Sequence, residues 1–172
     1  EPLPRGEGVV VQSKLDKAFN QEFYRAIEQG AKEASENGVV AGYQMMDLKI
    51  TIESAEVNDE TSSAMAYKIA ASQAFREAAQ NASAILMEPI FKLEIITPEE
   101  FMGTVIGDLN ARRGKVGSMG ARGQAQVVNA EAPLMSLFGY ATDLRSLTQG
   151  RASFSMEFLK YEAVPPKVEQ EI

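Results

Sequence analysis

The stretch Glu88-Pro89-Ile90-Phe91-Lys92-Leu93-Glu94-Ile95-Ile96-Thr97-Pro98-Glu99-Glu100-Phe101 decides the fold. Pro89 marks a seam, and the apolar run from Ile90 to Ile96, broken by Lys92 and Glu94, predicts a strand. Thr97-Pro98-Glu99-Glu100 then opens a helix, with a capping residue, proline at the first helical position and two acids at the positive end of the dipole. Phe101, Met102, Val105, Ile106 and Leu109 form its buried stripe. Arg112, Arg113 and Lys115 suit its negative end, and Gly114 its stop. Downstream, two short strands are expected at about 115–120 and 123–131, with Ala121-Arg122-Gly123 between them. Pro133 opens another helix with Leu134, Leu137, Phe138, Ala141 and Leu144 on one face, ended by Gly150. Arg151 to Tyr161 alternates as a last strand, and Val164-Pro165-Pro166 begins a polar tail. The order β-α-β-β-α-β spells a ferredoxin-like split βαβ sandwich.

Upstream of the seam the pattern is β-α-β-α. Val9-Val10-Val11 reads as a strand. Asn20 precedes a helix whose face is Phe23, Ala26, Ile27, Gly30, Ala31 and Ala34, and Asn37-Gly38 stops it. Met46, Leu48, Ile50 and Ile52 alternate as a half-buried strand. Ser62-Ser63 caps a helix over about 62–81, with Ala64, Tyr67, Ala71, Ala74, Phe75 and Ala78 as a small-residue stripe suited to close packing on a sheet. Two strands are few for a sheet, so leading strands are expected ahead of Glu1. The chain opens on Glu1-Pro2-Leu3-Pro4-Arg5-Gly6, a turn-like stretch without Met, and reads as a fragment. The expected organisation is α+β, with domains at 1–88 and 89–164 and a tail at 165–172.

Composition narrows the chemistry. Among 172 residues there is no Cys, no His and no Trp. Disulfides, thiolate nucleophiles, Cys- or His-ligated metals and Ser-His-Asp triads are therefore excluded. Asp47, Asp59, Glu60 and Asp108 are scattered over different elements, in no spacing that suggests acid–base work. Gly103-Thr104-Val105-Ile106-Gly107 and Gly117-Ser118-Met119-Gly120 lack the Gly-Lys-Ser/Thr of a phosphate loop and read as turns and close packing. No catalytic, cofactor or metal site is expected in the chain. No run approaches the roughly 18 apolar residues of a membrane span, and no signal segment opens the chain. A cytoplasmic, monomeric protein without membrane contact fits.

The net charge of −7 argues against a general nucleic-acid binder. It is unevenly spread, however. Residues 1–88 carry −6 and residues 89–172 carry −1, while residues 109–151 carry six basic and two acidic side chains. Local charge acts within a Debye length of about 8–10 Å, so this segment can meet phosphate whatever the global sum. The alternative is a solvated surface with helix-end charges. Gln149-Gly150-Arg151 sets an amide and a guanidinium beside an open turn, a phosphate-docking geometry, with helix capping by Arg145 and Gly150 as the other reading.

Long motifs then carry a family resemblance. Ile106-Gly107-Asp108-Leu109-Asn110-Ala111-Arg112-Arg113-Gly114, Phe138-Gly139-Tyr140-Ala141-Thr142-Asp143-Leu144-Arg145-Ser146 with Gln149-Gly150-Arg151, Glu88-Pro89-Ile90 and Ser153-Phe154-Ser155-Met156-Glu157-Phe158 resemble the fifth domain of translation elongation factor G. Glu1-Pro2-Leu3-Pro4-Arg5-Gly6, Gly38-Val39-Val40-Ala41-Gly42-Tyr43 and Ser62-Ser63 through Lys68-Ile69-Ala70-Ala71-Ser72 are similar to its fourth domain. The resemblance implies an S5-like α/β domain, missing its leading strands, followed by a ferredoxin-like one. It implies the ribosome-binding part of a translational GTPase that promotes tRNA–mRNA translocation. The GTPase domain, with its GTP and Mg, would lie in N-terminal domains outside this chain, so this part is not itself expected to be an enzyme. Implied partners are rRNA, ribosomal proteins, the tRNA–mRNA pair at the decoding region and those N-terminal domains.

The sequence departs from the family at the fourth domain's tip. Asn58 takes the place of the usual tip-loop His in Val57-Asn58-Asp59-Glu60-Thr61-Ser62-Ser63. Lys14-Leu15-Asp16-Lys17-Ala18-Phe19-Asn20-Gln21 replaces a loop that usually holds Gly-Gly and Pro. These changes suggest a divergent second copy, or a paralogue acting in ribosome recycling or protection. The expected RNA contacts are Lys17, Asn20, Asn58 and Asp59 at the tip of the first domain, and Arg112, Arg113, Gln149 and Arg151 in the second.

Overall fold

The computed structural model describes residues 1–58 and 60–170. The chain forms two compact units that divide between residues 85 and 86, a few residues ahead of Pro89. Each is described by itself.

In the first unit, β1 (Val9–Ser13) and β2 (Leu48–Ile52) pair in parallel, with Val9 opposite Leu48 and Ser13 opposite Ile52. Pro2 bridges Leu48 on the other edge of β2. The Asp47 side chain accepts from the Gly6 and Gly8 amides at 3.0 and 2.9 Å, fixing the opening turn to β2. Helix α1 (Gln21–Asn37) starts where Asn20 Oδ1 accepts the Glu22 amide at 2.8 Å. Helix α2 (Ala64–Asn81) starts where Ser63 Oγ accepts the Ala66 amide at 3.1 Å. The side-chain oxygens thus satisfy amides that have no carbonyl partner in the first turn.

The two helices pack on each other as well as on the sheet. A Cβ added to Gly30 would lie 2.2 Å from the Lys68 carbonyl oxygen, so glycine is required for the helix crossing. Ion pairing of Lys68 with Glu33 at 2.8 Å closes the same crossing from outside and holds the Glu33 pKa below its ordinary value. This contact corrects the expected small-residue stripe of α2. Tyr67, Phe75 and Ala79 are buried, whereas Ala74 and Ala78 are exposed. The face is set by α1, which selects residues four apart along one row.

In the second unit, the strands are β3 (Met87–Pro98), β4 (Lys115–Arg122), β5 (Ala125–Pro133) and β6 (Ser153–Ala163). They form one antiparallel sheet in the order β4-β5-β3-β6. Helices α3 (Glu99–Ala111) and α4 (Tyr140–Leu147) complete the ferredoxin-like βαββαβ plan. Leu93, Ile95, Val105, Leu109, Val128, Tyr140 and Leu144 are at most 2% exposed and form its core.

Four local expectations are corrected. Pro98, not Thr97, is the residue before α3, because buried Thr97 remains in the sheet opposite Gln126. The glycine run from Gly117 to Gly120 lies inside β4, where the register shifts between Val116 and Met119. The single helix expected after Pro133 is a 3-10 turn (Leu134–Leu137) followed by α4, separated at Gly139 with φ +77°. The break turns Phe138 outward, 75% exposed, and leaves Ala141 exposed, while Tyr140 enters the core at 1%. The tail expected from residue 165 contains a short helix, α5 (Pro166–Glu169).

Gly30→Ala is expected to destabilise the first unit by about 1–3 kcal/mol, since helix backbones must move apart to admit the methyl group. Chemical denaturation followed by circular dichroism checks this, and an unchanged midpoint would remove the crossing as a constraint.

Candidate functional site

The tip of the first unit consists of two loops, residues 14–20 and 53–63, resting on one aromatic floor. Phe19, Phe23 and Tyr67 meet with ring centroids 4.8–6.4 Å apart. The Tyr67 hydroxyl donates to the Glu56 carbonyl at 2.7 Å and lies 3.2 Å from Ser62 Oγ, which in turn accepts the Asn58 amide at 2.9 Å. One side chain of α2 thereby holds both ends of the second loop. The first loop turns at Asp16, whose Oδ1 accepts the Ala18 amide at 2.8 Å, leaving Lys17 exposed at the bend. Lys14 and Glu53 join the loops through an exposed pair at 2.8 Å, an interaction worth about 0–1 kcal/mol.

Of the expected tip contacts, Lys17, Asn20 and Asn58 are all exposed, on loops that share this floor. Asp59 lies outside the described residues. Asn58 organises its own loop, with Oδ1 accepting the Glu60 and Thr61 amides at 2.9 and 3.3 Å. Sequence spacing does not reveal this role of Tyr67. Its only signal is a tyrosine placed five residues after Ser62, which fits the helix stripe equally well.

In the second unit, the structure does not bring the four expected residues together. Arg112 and Arg113 follow the C-terminal end of α3, whereas Arg151 pairs with Glu100 at 2.6 Å and stacks 4.7 Å over Phe101 at its N-terminal end. Those ends are about 18 Å apart along the helix axis, at about 1.5 Å per residue. Arg112 is turned inward. Its Nε donates to Asp108 at 2.8 Å, Nη1 to the Ser136 carbonyl at 2.9 Å and Nη2 to Asp143, and its guanidinium lies 5.2 Å from the Tyr140 ring centre. Burial acts to lower the Arg112 pKa, but the hydrogen bonds to Asp108 and Asp143 outweigh it and raise the value. Arg113 forms a two-pronged pair with buried Glu88. Arg122 pairs with Glu94, and Lys115 with Glu162. The basic segment seen in sequence is thus largely matched by acids from other elements. Arg145 and Gln149 are exposed.

Helices α3 and α4 end alike. Gly114 and Gly150 donate to the carbonyls five residues back, of Leu109 and Arg145, both at 2.8 Å. The residue before each glycine is left-handed, Arg113 at φ +61° and Gln149 at φ +53°, and in α4 Gly150 is left-handed as well, at φ +74°. Glycine would adopt this conformation without steric penalty, while a side chain there stores about 1 kcal/mol or more. The Arg113 side chain reaches Glu88, which accounts for it. Gln149 has no side-chain hydrogen bond among the described residues.

Comparison with known proteins places this geometry. The family model described as Elongation factor G, domain IV matches residues 1–83, and the one described as Elongation factor G C-terminus matches residues 85–172. The chain belongs to the elongation factor G family. Elongation factor G 1 of Bdellovibrio bacteriovorus is 53% identical over the whole chain, which spans 25% of that protein. A crystal structure of a Thermus thermophilus protein superposes with a TM-score of 0.83 at 35% identity, covering 99% of this chain and 26% of that one. The split between the two family matches coincides with the division into compact units. Both elongation factor G motifs containing Asp108-Arg112 and Tyr140-Asp143 meet at the Arg112 cluster, so they build the interior of the C-terminal unit.

Burial first, and then the Asp108 carboxylate, push the Tyr140 hydroxyl up to about 12 from an ordinary 10.0, and this hydroxyl has no hydrogen-bond partner. Below pH 10 the tyrosine is protonated both folded and unfolded. Between pH 10 and 12 only the unfolded chain ionises there, so stability present below pH 10 is lost as pH rises. Tyr140→Phe should flatten that part of the stability–pH curve and be neutral or stabilising at pH 7. Arg112→Ala should cost about 1–3 kcal/mol by stranding Asp108 and the Ser136 carbonyl. Denaturation midpoints measured across pH check both.

Proposed function

We propose that this chain is the ribosome-facing, C-terminal part of a cytoplasmic translation factor that promotes tRNA–mRNA translocation. The observation that carries the reading is the 53% identity, along the entire chain, to a protein named as elongation factor G 1. The family matches add that both units correspond to successive parts of that factor, its domain IV and its C-terminus. The chain spans a quarter of the relative's length. GTP hydrolysis, with its Mg, belongs in this reading to another part of the polypeptide, and residues 1–172 act by position. The first unit places its tip beside the tRNA–mRNA pair, and the second rests on rRNA and ribosomal protein.

Within the second unit, the α4–β6 turn suits RNA contact better than the α3 C-terminus does. Arg112 and Arg113 are held by carboxylates, whereas exposed Gln149 sits in the left-handed position of a helix-end closure and its side chain makes no hydrogen bond among the described residues. Strain retained at an exposed side chain points to a use for that side chain. Arg145 and Arg151 flank it.

Gln149→Gly in the full-length factor tests this with opposite signs. Relief of the left-handed strain should stabilise the C-terminal unit by about 1 kcal/mol, while loss of the amide should weaken ribosome binding several-fold. Denaturation and ribosome co-sedimentation at physiological salt measure the two. Stabilisation without any loss of binding would remove this turn from the interface, and a full-length factor that neither binds ribosomes nor moves tRNA would overturn the proposed function.

A further inference from the structure

We infer that Met45 is an oxidation site: conversion of its thioether to the sulfoxide by a hydroperoxide releases the loop of residues 38–47 from α1. The exposed neighbour Met46 reacts without that effect. The inference stands apart from the ribosome-facing reading. It concerns the end of the first unit remote from its tip, about 25 Å along α1 at about 1.5 Å per residue.

The 172 residues contain no Cys, so thioethers are their only sulfur. Of the eight methionines, all but Met45 and Met102 are exposed. An exposed thioether can take up an oxygen atom without disturbing packed neighbours, whereas a half-buried one is both reachable and structural. Met102 is carried by helix α3 against the large core of the second unit. Met45 lies in a loop, and its own contacts hold that loop in place.

Residues 38–47 lead from α1 to β2 through left-handed conformations at Gly38, Ala41, Gly42 and Asp47. Ala41 does not favour this conformation, so the loop keeps its shape through contacts rather than through local preference. The Met45 amide donates to the carbonyl of buried Ser35 at 2.8 Å. The Met45 side chain packs on Ala34, Phe75 and Ala79, a small cluster whose irregular gap suits a flexible thioether. Beside it the Tyr43 carbonyl approaches α1 so closely that a Cβ on Gly38 would lie 1.9 Å from its oxygen, with Met45 Cγ 3.6 Å away. At the far end the Asp47 side chain accepts from the Gly6 and Gly8 amides, which limits any opening to the residues before it.

In the oxidation step the sulfur lone pair attacks one peroxide oxygen, and the S–O bond forms as the O–O bond breaks. The departing hydroxide or alkoxide takes the proton of the transferred hydroxyl, leaving sulfoxide and water or an alcohol. Sulfur loses two electrons and the peroxide gains them. The new oxygen is a strong acceptor, and the side chains of Ala34, Phe75 and Ala79 offer it no donor. The oxidised side chain therefore leaves the cluster for water and the loop follows. Met46 is 57% exposed and its sulfoxide is solvated where it stands.

Peroxide titration of the full-length factor tests this, with peptide mapping of sulfoxide and hydrogen exchange on the same samples. Oxidation of Met45 is expected to speed exchange in the peptide covering residues 38–47 several-fold, while peptides from α2 keep their protection. Methionine sulfoxide reductase should restore slow exchange. Met45→Leu, which keeps the volume and removes the sulfur, should hold the loop closed before and after peroxide. Met46→Leu should leave the response intact. Sulfoxide at Met45 with unchanged exchange overturns the inference, as does a response that survives Met45→Leu or vanishes in Met46→Leu. Oxidation of Met46 with Met45 unreacted, at every peroxide level that leaves the factor folded, overturns it as well. If Met45→Leu alone loosens the loop, the reductase decides: closure on reduction supports the inference, and a loop that stays open overturns it. None of these outcomes depends on whether the factor binds ribosomes.

Discussion

The close approach of α1 and α2 at Gly30 is the constraint on which the first unit depends. With no side chain at that point, the backbone of α2 comes against α1, and the Lys68 carbonyl occupies space that any Cβ would need. This crossing fixes the rotation of α2. Rotation decides that Tyr67 points to Phe19 and Phe23, and that its hydroxyl reaches the Glu56 carbonyl. The geometry of an exposed tip is thus set by a contact in the middle of a helix pair. Rigid support of this kind lets loops carry recognition groups in fixed positions.

The second unit has its own keystone in Arg112. A guanidinium with hydrogen bonds to two carboxylates and a backbone carbonyl, stacked on a buried ring, ties α3 to the 3-10 turn and to the first turn of α4. Breaking such a cluster at one member leaves the others unpaired, which is why its residues behave as a unit. The break at Gly139 makes the arrangement possible. It lets Tyr140 turn into the core under Arg112 while Phe138 turns out. The motifs that carry most of the family likeness are in this sense structural, and the exposed positions of the α4–β6 turn lie at the far end of the same helix.

Much of the fold is legible in the sequence. The strand–proline–helix signal around Pro98, the asparagine and serine caps at Asn20 and Ser63, and the alternation of β2, β3 and β6 all follow from local backbone chemistry, which needs no distant partner. The helix after Pro133 differs from its expected form because apolar spacing cannot register one left-handed glycine that resets the phase. The stripe of α2 differs because alanine fits either side of a helix, and only the facing helix selects a row. The stop of α3 is displaced by one residue, since the left-handed conformation falls on Arg113 and Gly114 follows it, whereas α4 ends on two left-handed residues, Gln149 and Gly150. The basic segment resembles one surface because its charges are close in sequence. Its balancing acids, Glu88, Glu94, Glu100 and Glu162, come from other strands and another helix.

By itself the sequence determined the order of the strands and main helices, the absence of His, Cys and Trp chemistry, and the family. These depend on residue type and short-range spacing, which a linear chain records completely. Only the tertiary structure decided which arginines face inward, which end of the Asn58 amide is left exposed, and that the candidate residues of the second unit stand at opposite ends of α3. Those outcomes rest on contacts between residues far apart in the chain, and on the left-handed conformations of Arg113, Gly139 and Gln149, which take their effect only once helices and sheet have closed around them.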